Sequence, residues 1–279
     1  MYHSDNLIFI YFYFIYILSI MIKHDKNSLN LFINWLSVSL ILVFFMIIIG
    51  GLTRLTNSGL SITEWELFKG ILPPLTNEQW YNYFSLYKDI PQYNLVNFNM
   101  TLEEFKVIFY WEYFHRILGR FIGLFFLLPL VYFYFSKKID KKILNQCTLI
   151  FFLIFFQGII GWYMVQSGLV NDITVSHYRL SLHLITALII ISSLYWLIIN
   201  LKRNTFKYFF KNQRKFSPIL FLIFIIFLQI ILGAFVSGLD AGKIYQTWPL
   251  MGQTYFPDDI LLKGGINMID FNNHSLVQF

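Results

Sequence analysis

Five stretches of this 279-residue chain are each long and apolar enough to cross a lipid bilayer as an α-helix. A spanning helix needs about 20 mostly apolar residues. Charged residues make up 13% of the chain, roughly half of the share that soluble domains carry. The sequence therefore predicts an all-α fold, a polytopic membrane helical bundle. The predicted spans are residues 33–52, 105–135, 143–166, 174–200 and 217–238.

A sixth apolar stretch, residues 7–22, is shorter, at 16 residues. Its length and composition suit an extra span, an uncleaved anchor or a signal-like segment. It lacks a basic start and a small-residue cleavage site, which disfavours a cleaved signal peptide. We assign residues 1–30 to an N-terminal extension that precedes the first span.

The charged residues give the spans an orientation. Lysine and arginine collect in residues 137–142 and 202–215 and also precede the first span, and such basic loops face the cytoplasm. The long loop 53–104 leans acidic, so we expect it on the outer side. The net charge of +6 fits this asymmetry. The sequence shows no separate basic domain, so nucleic acid is not an expected partner.

A weak internal repeat divides the chain. The segments GGLTRLTNSGLSITEW (50–65) and LGAFVSGLDAGKIYQTW (232–248) each leave a span through Gly and SGL and then reach a tryptophan. Repeated halves are common in membrane proteins. We therefore predict a complete first four-helix half at residues 31–205 and a truncated second half at residues 206–279.

Ionisable residues inside the second and fourth spans form the main candidate site. Each span carries a histidine, His115 or His183, about ten residues from its outer end, which is about 15 Å along the helix axis. The two histidines are therefore expected at nearly equal depth. Glu112 precedes His115 by three residues and Arg179 precedes His183 by four, so each pair shares a helix face.

Charge inside a membrane is costly and indicates a function by default. Two facing neutral imidazoles suit the two axial positions of a heme iron. Arg116, Arg120 and Arg179 are then candidates to pair with the heme propionates, because guanidinium groups bind carboxylates well. Structural alternatives are a histidine bonded to a neighbouring helix, Arg120 as an interhelical partner, and Glu112 as the partner of an arginine. We interpret His177, at the outer edge of the fourth span, as interfacial.

Several motifs together are similar to those of one family. They are GGLTRLTNSGLSITEW, ILPPLTNEQW, IPQYNLVNFNMTLEEFK, EYFHRILGRFIGL, MVQSGL, SHYRLSLHL and SGLDAGKIYQTWPLMG. Over residues 35–279 the chain resembles the heme A synthase family, most closely the branch found in alphaproteobacteria and mitochondria.

The resemblance implies eight spans in two pseudo-symmetric halves. It also implies an oxidation of the C8 methyl of heme O to a formyl group, giving heme A for cytochrome oxidase. His115 and His183 match the histidine pair that holds the substrate heme, and Glu112 matches a motif glutamate with a catalytic role. In the family a second histidine pair, in the second half, holds heme b. Those two ligands would follow Phe279, so we expect this chain to lack them.

Two other functions stay open on the sequence alone. One is a bis-histidine b-type cytochrome that passes electrons across the membrane, and the other is an inactive heme-binding fragment. Beyond heme O and membrane lipid, the expected partners are heme O synthase, cytochrome oxidase assembly factors and a second copy of the chain. The expected location is the bacterial inner membrane, with the mitochondrial inner membrane as the alternative.

Overall fold

The computed structural model describes residues 4–65, 69–170, 172–203, 218–245, 247 and 249–255, with side chains from residue 27 onward. Most of the predicted basic loop 202–215 and the last part of the predicted second half lie outside these residues. Within them the chain folds into helices joined by loops and short 3-10 turns. The α-helices are α1 (Ser4–Leu55), α2 (Asn77–Lys88), α3 (Pro91–Leu95), α4 (Leu102–Ser136), α5 (Lys141–Gly168), α6 (His177–Lys202) and α7 (Pro218–Gly238).

Five helices in this described part are long and apolar enough to cross a membrane. They are the Asn27–Leu55 part of α1 and the whole of α4, α5, α6 and α7. Three of them contain a predicted span completely, and α6 and α7 cover nearly all of the predicted spans 174–200 and 217–238, so the predicted all-α membrane bundle is confirmed. Residues 7–22 belong to the helical backbone of α1, continuous with the first span. An additional span there stays a prediction.

Four of these helices close into a ring. Helix α1 packs against α4 and α6, and α5 also packs against α4 and α6. Helix α7 lies outside the ring and packs against α6. The first four predicted spans therefore form one closed bundle, and α7 is added to one side of it. The predicted division of the chain into two halves stays a prediction.

One end of the ring is filled by a large apolar core. Its side chains come from all four ring helices, and the tightly packed rings of Trp35 and Phe126 have centroids 4.7 Å apart. This core lies toward the basic loop at residues 137–142, which we call the inner end. The most deeply buried members are Phe32, Leu36, Phe126, Cys147, Ile190 and Leu194.

A proline in α4 is compensated by a side chain from α1. Pro129 has no backbone N–H, so the carbonyl oxygen of Phe125 loses its helical partner. The indole Nε1 of Trp35 donates a hydrogen bond to that oxygen at 3.1 Å. Because an unsatisfied carbonyl is costly in hydrocarbon, this bond stabilises both the helix and the contact between α1 and α4.

The long outer loop is folded rather than extended. Thr76 and Thr101 begin α2 and α4 with capping boxes, in which each threonine hydroxyl accepts from the backbone N–H three residues later. An aromatic cluster then packs these elements over the outer end of the ring. Its buried members include Trp80, Phe84, Tyr87, Phe105 and Phe109. The loop therefore forms a structured cover on the end of the ring that we call outer.

Hydrogen bonds within the loop stabilise this outer cover. The Tyr87 hydroxyl donates to Gln92 Oε1 at 2.9 Å and accepts from Asn97 Nδ2 at 2.7 Å. Gln92 in turn donates to the carbonyl oxygen of Asn57, just after α1, at 3.3 Å. Burial raises the pKa of the Tyr87 phenol, so this group stays protonated and able to donate across the neutral range.

The last residues of α5 and α7, Gly168 and Gly238, lie where no side chain fits. A Cβ on Gly168 would lie 2.8 Å from the Leu60 side chain and 3.0 Å from the carbonyl oxygen of Thr174. A Cβ on Gly238 would lie 2.6 Å from the Cβ of His177. These two glycines therefore lie at points where the outer ends of helices meet at close range.

The orientation of the ring can be tested with single cysteines. In a Cys147→Ser background, which removes the chain's one cysteine, we expect Asn82→Cys to react with an impermeant thiol reagent added from outside. Both Asn82, on α2, and Lys138, in the inner loop, are exposed, so the reagent can reach either one. Lys138→Cys should react only after the membrane is permeabilised. Labelling of Lys138→Cys in sealed cells would reverse the orientation.

Candidate functional site

The two predicted histidines lie on ring helices between the outer cover and the inner core. His115 is on α4 and His183 is on α6, and both are partly buried. Each imidazole lies against a glycine of the neighbouring ring helix. A Cβ on Gly50 of α1 would lie 3.2 Å from His115 Nε2, and a Cβ on Gly161 of α5 would lie 3.2 Å from His183 Cε1. Helices α4 and α6 are each packed between α1 and α5, so the two histidines are on helices that face each other across the ring.

These residues fit an axially ligated heme. His183 Nδ1 is buried and has no hydrogen-bond partner in the described part of the chain. Gln157 donates to the backbone carbonyl oxygen of His183 at 2.8 Å, which fixes this turn of α6 against α5. The described residues contain no group of three or more side chains suited to hold a metal. Two imidazoles alone match a metal whose remaining ligands come from a porphyrin.

Glu112 is buried in a set of hydrogen bonds, of which only the pairing with an arginine was among the sequence-based alternatives. Its Oε2 accepts from Ser61 Oγ at 2.8 Å and from the backbone N–H of Ile62 at 2.7 Å. Its Oε1 accepts from the guanidinium of Arg116, with Nε at 2.9 Å. The carboxylate therefore joins α4 to the first residues of the outer cover, one turn above His115.

Arg116, the partner of Glu112 in this ion pair, also binds the first residues of the outer cover. Its guanidinium donates to the carbonyl oxygens of Ile62 at 2.7 Å and Glu64 at 3.1 Å. It also lies over the ring of Trp65, 5.6 Å from the centroid. These contacts match the structural alternative for Glu112, an arginine partner. They direct Arg116 toward the loop, and its predicted contact with a propionate stays a prediction.

Arg120 and Arg179 also bind backbone carbonyl oxygens. Arg120 donates to Gly70 at 3.0 Å, next to the bond from Tyr113 to Ile71 at 2.6 Å. Arg179 donates to Tyr163 at 2.6 Å, and its guanidinium lies 3.7 Å from the centroid of that ring. The structure thus joins Arg116 and Arg120 along one face of α4 and places Arg179 between α6 and α5. Their role toward propionates stays a prediction.

His177 is buried rather than interfacial. It is the first residue of α6, so its predicted depth at the outer edge agrees with the structure. Its ring packs edge-on against Phe235 of α7, with centroids 5.3 Å apart. The interfacial interpretation was wrong because the sequence did not show that α7 packs on this end of α6.

A link between α1 and α7 was also missed. The guanidinium of Arg54, in the last turn of α1, donates to the carbonyl oxygen of Ser237 and lies 3.5 Å from the carboxylate of Asp240. It also donates to Asn57 at 3.1 Å. Arg54 and Asp240 both lie in the repeated segments, so the repeat was the available signal, but spacing alone does not show that the two segments touch.

The fold and these side chains define a class: a multi-pass helical membrane protein with paired imidazoles inside a four-helix ring. The model of the COX15-CtaA family, described as cytochrome oxidase assembly protein, matches residues 33–279. The chain belongs to this family.

Three similar proteins are each named heme A synthase. The chain is 48% identical over 264 residues to the heme A synthase of Pelagibacter ubique, covering 93% of this chain and 76% of that protein. It is 44% identical over 245 residues to the heme A synthase of Parvibaculum lavamentivorans, covering 88% and 71%. It is 45% identical over 257 residues to the heme A synthase of Allorhizobium ampelinum, covering 92% and 70%. No solved structure matches the chain at comparable significance.

Proposed function

We propose that this protein is a heme A synthase, a membrane oxidoreductase that converts the C8 methyl of heme O to a formyl group. The observation that carries the proposal is the pair His115 and His183, each seated on a glycine of the next ring helix. The family and the shared name of its relatives support an enzyme of heme A biosynthesis.

The reaction sets the demands on the site. A methyl group and one water give a formyl group, four protons and four electrons. The site must therefore hold the substrate, admit water and transfer protons and electrons away from the substrate. His115 and His183 would bind the substrate iron and fix the ring in the bundle. Glu112, one turn from His115 on the same helix, would lie toward the edge of the porphyrin. In the family, heme b would supply a redox centre for the electrons, and the positions expected for its two histidine ligands lie beyond Phe279.

Partners and location follow from the same proposal. A membrane enzyme that uses heme O and supplies heme A would meet heme O synthase before the reaction and cytochrome oxidase assembly factors after it. The five candidate spans and the bacterial relatives support a bacterial inner membrane, with the mitochondrial inner membrane as the alternative.

The proposal is tested by the heme that the protein contains and produces. We expect the protein, expressed where heme O is made and no other enzyme forms heme A, to yield heme A on extraction and chromatography. His115→Ala and His183→Ala should each lower the bound heme and the heme A formed by at least about tenfold, since each removes an axial ligand.

A b-type cytochrome would behave differently in this assay. It would bind heme through the same histidines, and its pyridine hemochrome spectrum would show no formyl-bearing heme at any time. Wild-type protein that retains heme O or heme b unchanged would therefore overturn the proposed function in favour of a b-type cytochrome or an inactive heme-binding fragment.

A further inference from the structure

We propose that Ser61 is a positioning residue for the Glu112 carboxylate, and that the loop segment 61–64 and this carboxylate hold each other in place. The catalytic consequence of this contact rests on the proposed function. The contact itself rests on hydrogen bonds between α4 and the start of the outer cover.

Ser61 has one hydroxyl proton and two acceptors within reach. Its Oγ lies 2.8 Å from Glu112 Oε2 and 3.2 Å from the carbonyl oxygen of Ile108. The carboxylate is closer and charged, so it takes the proton, because charge-assisted hydrogen bonds are shorter and about twice as strong as neutral ones. The next backbone N–H, that of Ile62, donates to the same oxygen at 2.7 Å. Two adjacent donors therefore fix Oε2 from the loop side.

Arg116 fixes the other oxygen and returns to the same segment. It donates to Oε1 of Glu112 and to the carbonyl oxygens of Ile62 and Glu64. Both the N–H and the C=O of Ile62 are thus bound to this ion pair. Because Ser61 is 1% exposed and Glu112 is 3% exposed, water does not compete for these bonds.

The hydrogen bonds from Ser61 and Ile62 determine the orientation of the Glu112 carboxylate. Without Ser61, Oε2 keeps one loop donor, and the carboxylate is free to rotate toward Arg116. Glu112 is three residues before His115, so a rotation of the carboxylate changes its position relative to a ring held by that histidine. Under the proposed function, Ser61 therefore contributes to the oxidation without touching the substrate.

Turnover is the first test. Ser61→Ala should lower the rate of heme A formation by about tenfold to a hundredfold, the effect of losing one hydrogen bond to a charged group. Its heme O content should stay within about twofold of wild type, since no ligand is changed. Ser61→Thr, which keeps the hydroxyl, should recover most of the rate.

Ser58→Ala is the matched control. Ser58 lies in the same loop and is fully buried, and its hydroxyl lies 2.6 Å from that of Thr56 rather than near Glu112. Equal rates in Ser61→Ala and Ser58→Ala would overturn the positioning role. A loss of heme in Ser61→Ala that matches its loss of rate would also overturn it.

Hydrogen exchange tests the contact without using activity. Glu112→Gln removes the charge and keeps the shape, so amide exchange in segment 61–64 should become about tenfold faster, as the Ile62 N–H loses a charged acceptor. Glu104→Gln, which alters an exposed capping acid on the same helix, should leave that segment unchanged. Unchanged exchange in Glu112→Gln would overturn the contact. Faster exchange in Glu112→Gln, together with a wild type that makes no heme A, would support the contact and reject only the proposed function.

Discussion

Replacing Gly50 with leucine should remove bound heme, whereas the same change at the next residue, Gly51, should leave it in place. A Cβ on Gly50 would already lie 3.2 Å from His115 Nε2, and the rest of a leucine side chain would displace the imidazole. Gly51 is exposed and has no neighbouring atom within 4 Å of its added Cβ. Overpacking of this kind costs about 1–3 kcal/mol, so heme content should fall by about tenfold to a hundredfold.

Helix α5 offers a second matched pair for the same measurement. Gly161→Leu should displace His183 and lower the heme content, while Gly158→Leu, on an exposed face of α5 with open space around it, should not. Heme is measured per protein by absorbance after purification. Equal heme in Gly50→Leu and Gly51→Leu, together with equal heme in the α5 pair, would show that these glycines do not seat the ligands.

Glu112→Ala should cause a large loss of stability. It leaves the guanidinium of Arg116 without its carboxylate, and the side chain of Arg116 is only 12% exposed. Removing one partner of a buried ion pair costs about 3–5 kcal/mol. The free energy of unfolding in detergent should fall by this amount, whereas Glu103→Ala, at an exposed pair, should change it by less than about 1 kcal/mol.

A double variant separates the ion pair from the rest of the site. Adding Arg116→Met to Glu112→Ala removes the unpaired charge, so the double variant should be more stable than Glu112→Ala alone. Additive losses from the two changes would show that the two side chains do not depend on each other. In that case the arrangement at the loop would have to rest on Ser61 and the backbone.

The spans were predictable because they depend on a local rule, and the expected equal depth of the two histidines rests on a rule of the same kind. A run of about 20 apolar residues has to be helical in a bilayer, and depth along a helix follows from counting residues. His115 and His183 therefore needed no knowledge of which helices touch. The roles of Gly50 and Gly161 could not be predicted in this way, because each glycine matters only through its contact with a histidine on a neighbouring helix.

The contacts of Glu112 show more clearly what could not be predicted from the sequence. Helical spacing relates it to His115 and to Arg116, both on α4, but Ser61 is 51 residues away in sequence. The outer loop was predicted only by its acidic charge, although its capping residues Thr76 and Thr101 were readable as helix starts. Its aromatic cluster forms through contacts distant in sequence, which composition does not reveal.

The bond from Arg54 to the end of α7 has a consequence for how a flat, lipid-soluble molecule reaches the ring. The guanidinium lies at the carbonyl end of α7, where the helix dipole favours a cation, so it fastens α7 to α1 while α7 packs on α6. Helix α7 therefore lies across the seam between α1 and α6 at its outer end. Lateral entry from the bilayer near the histidines is obstructed on that side. The other three seams of the ring, α1–α4, α4–α5 and α5–α6, are not crossed by α7.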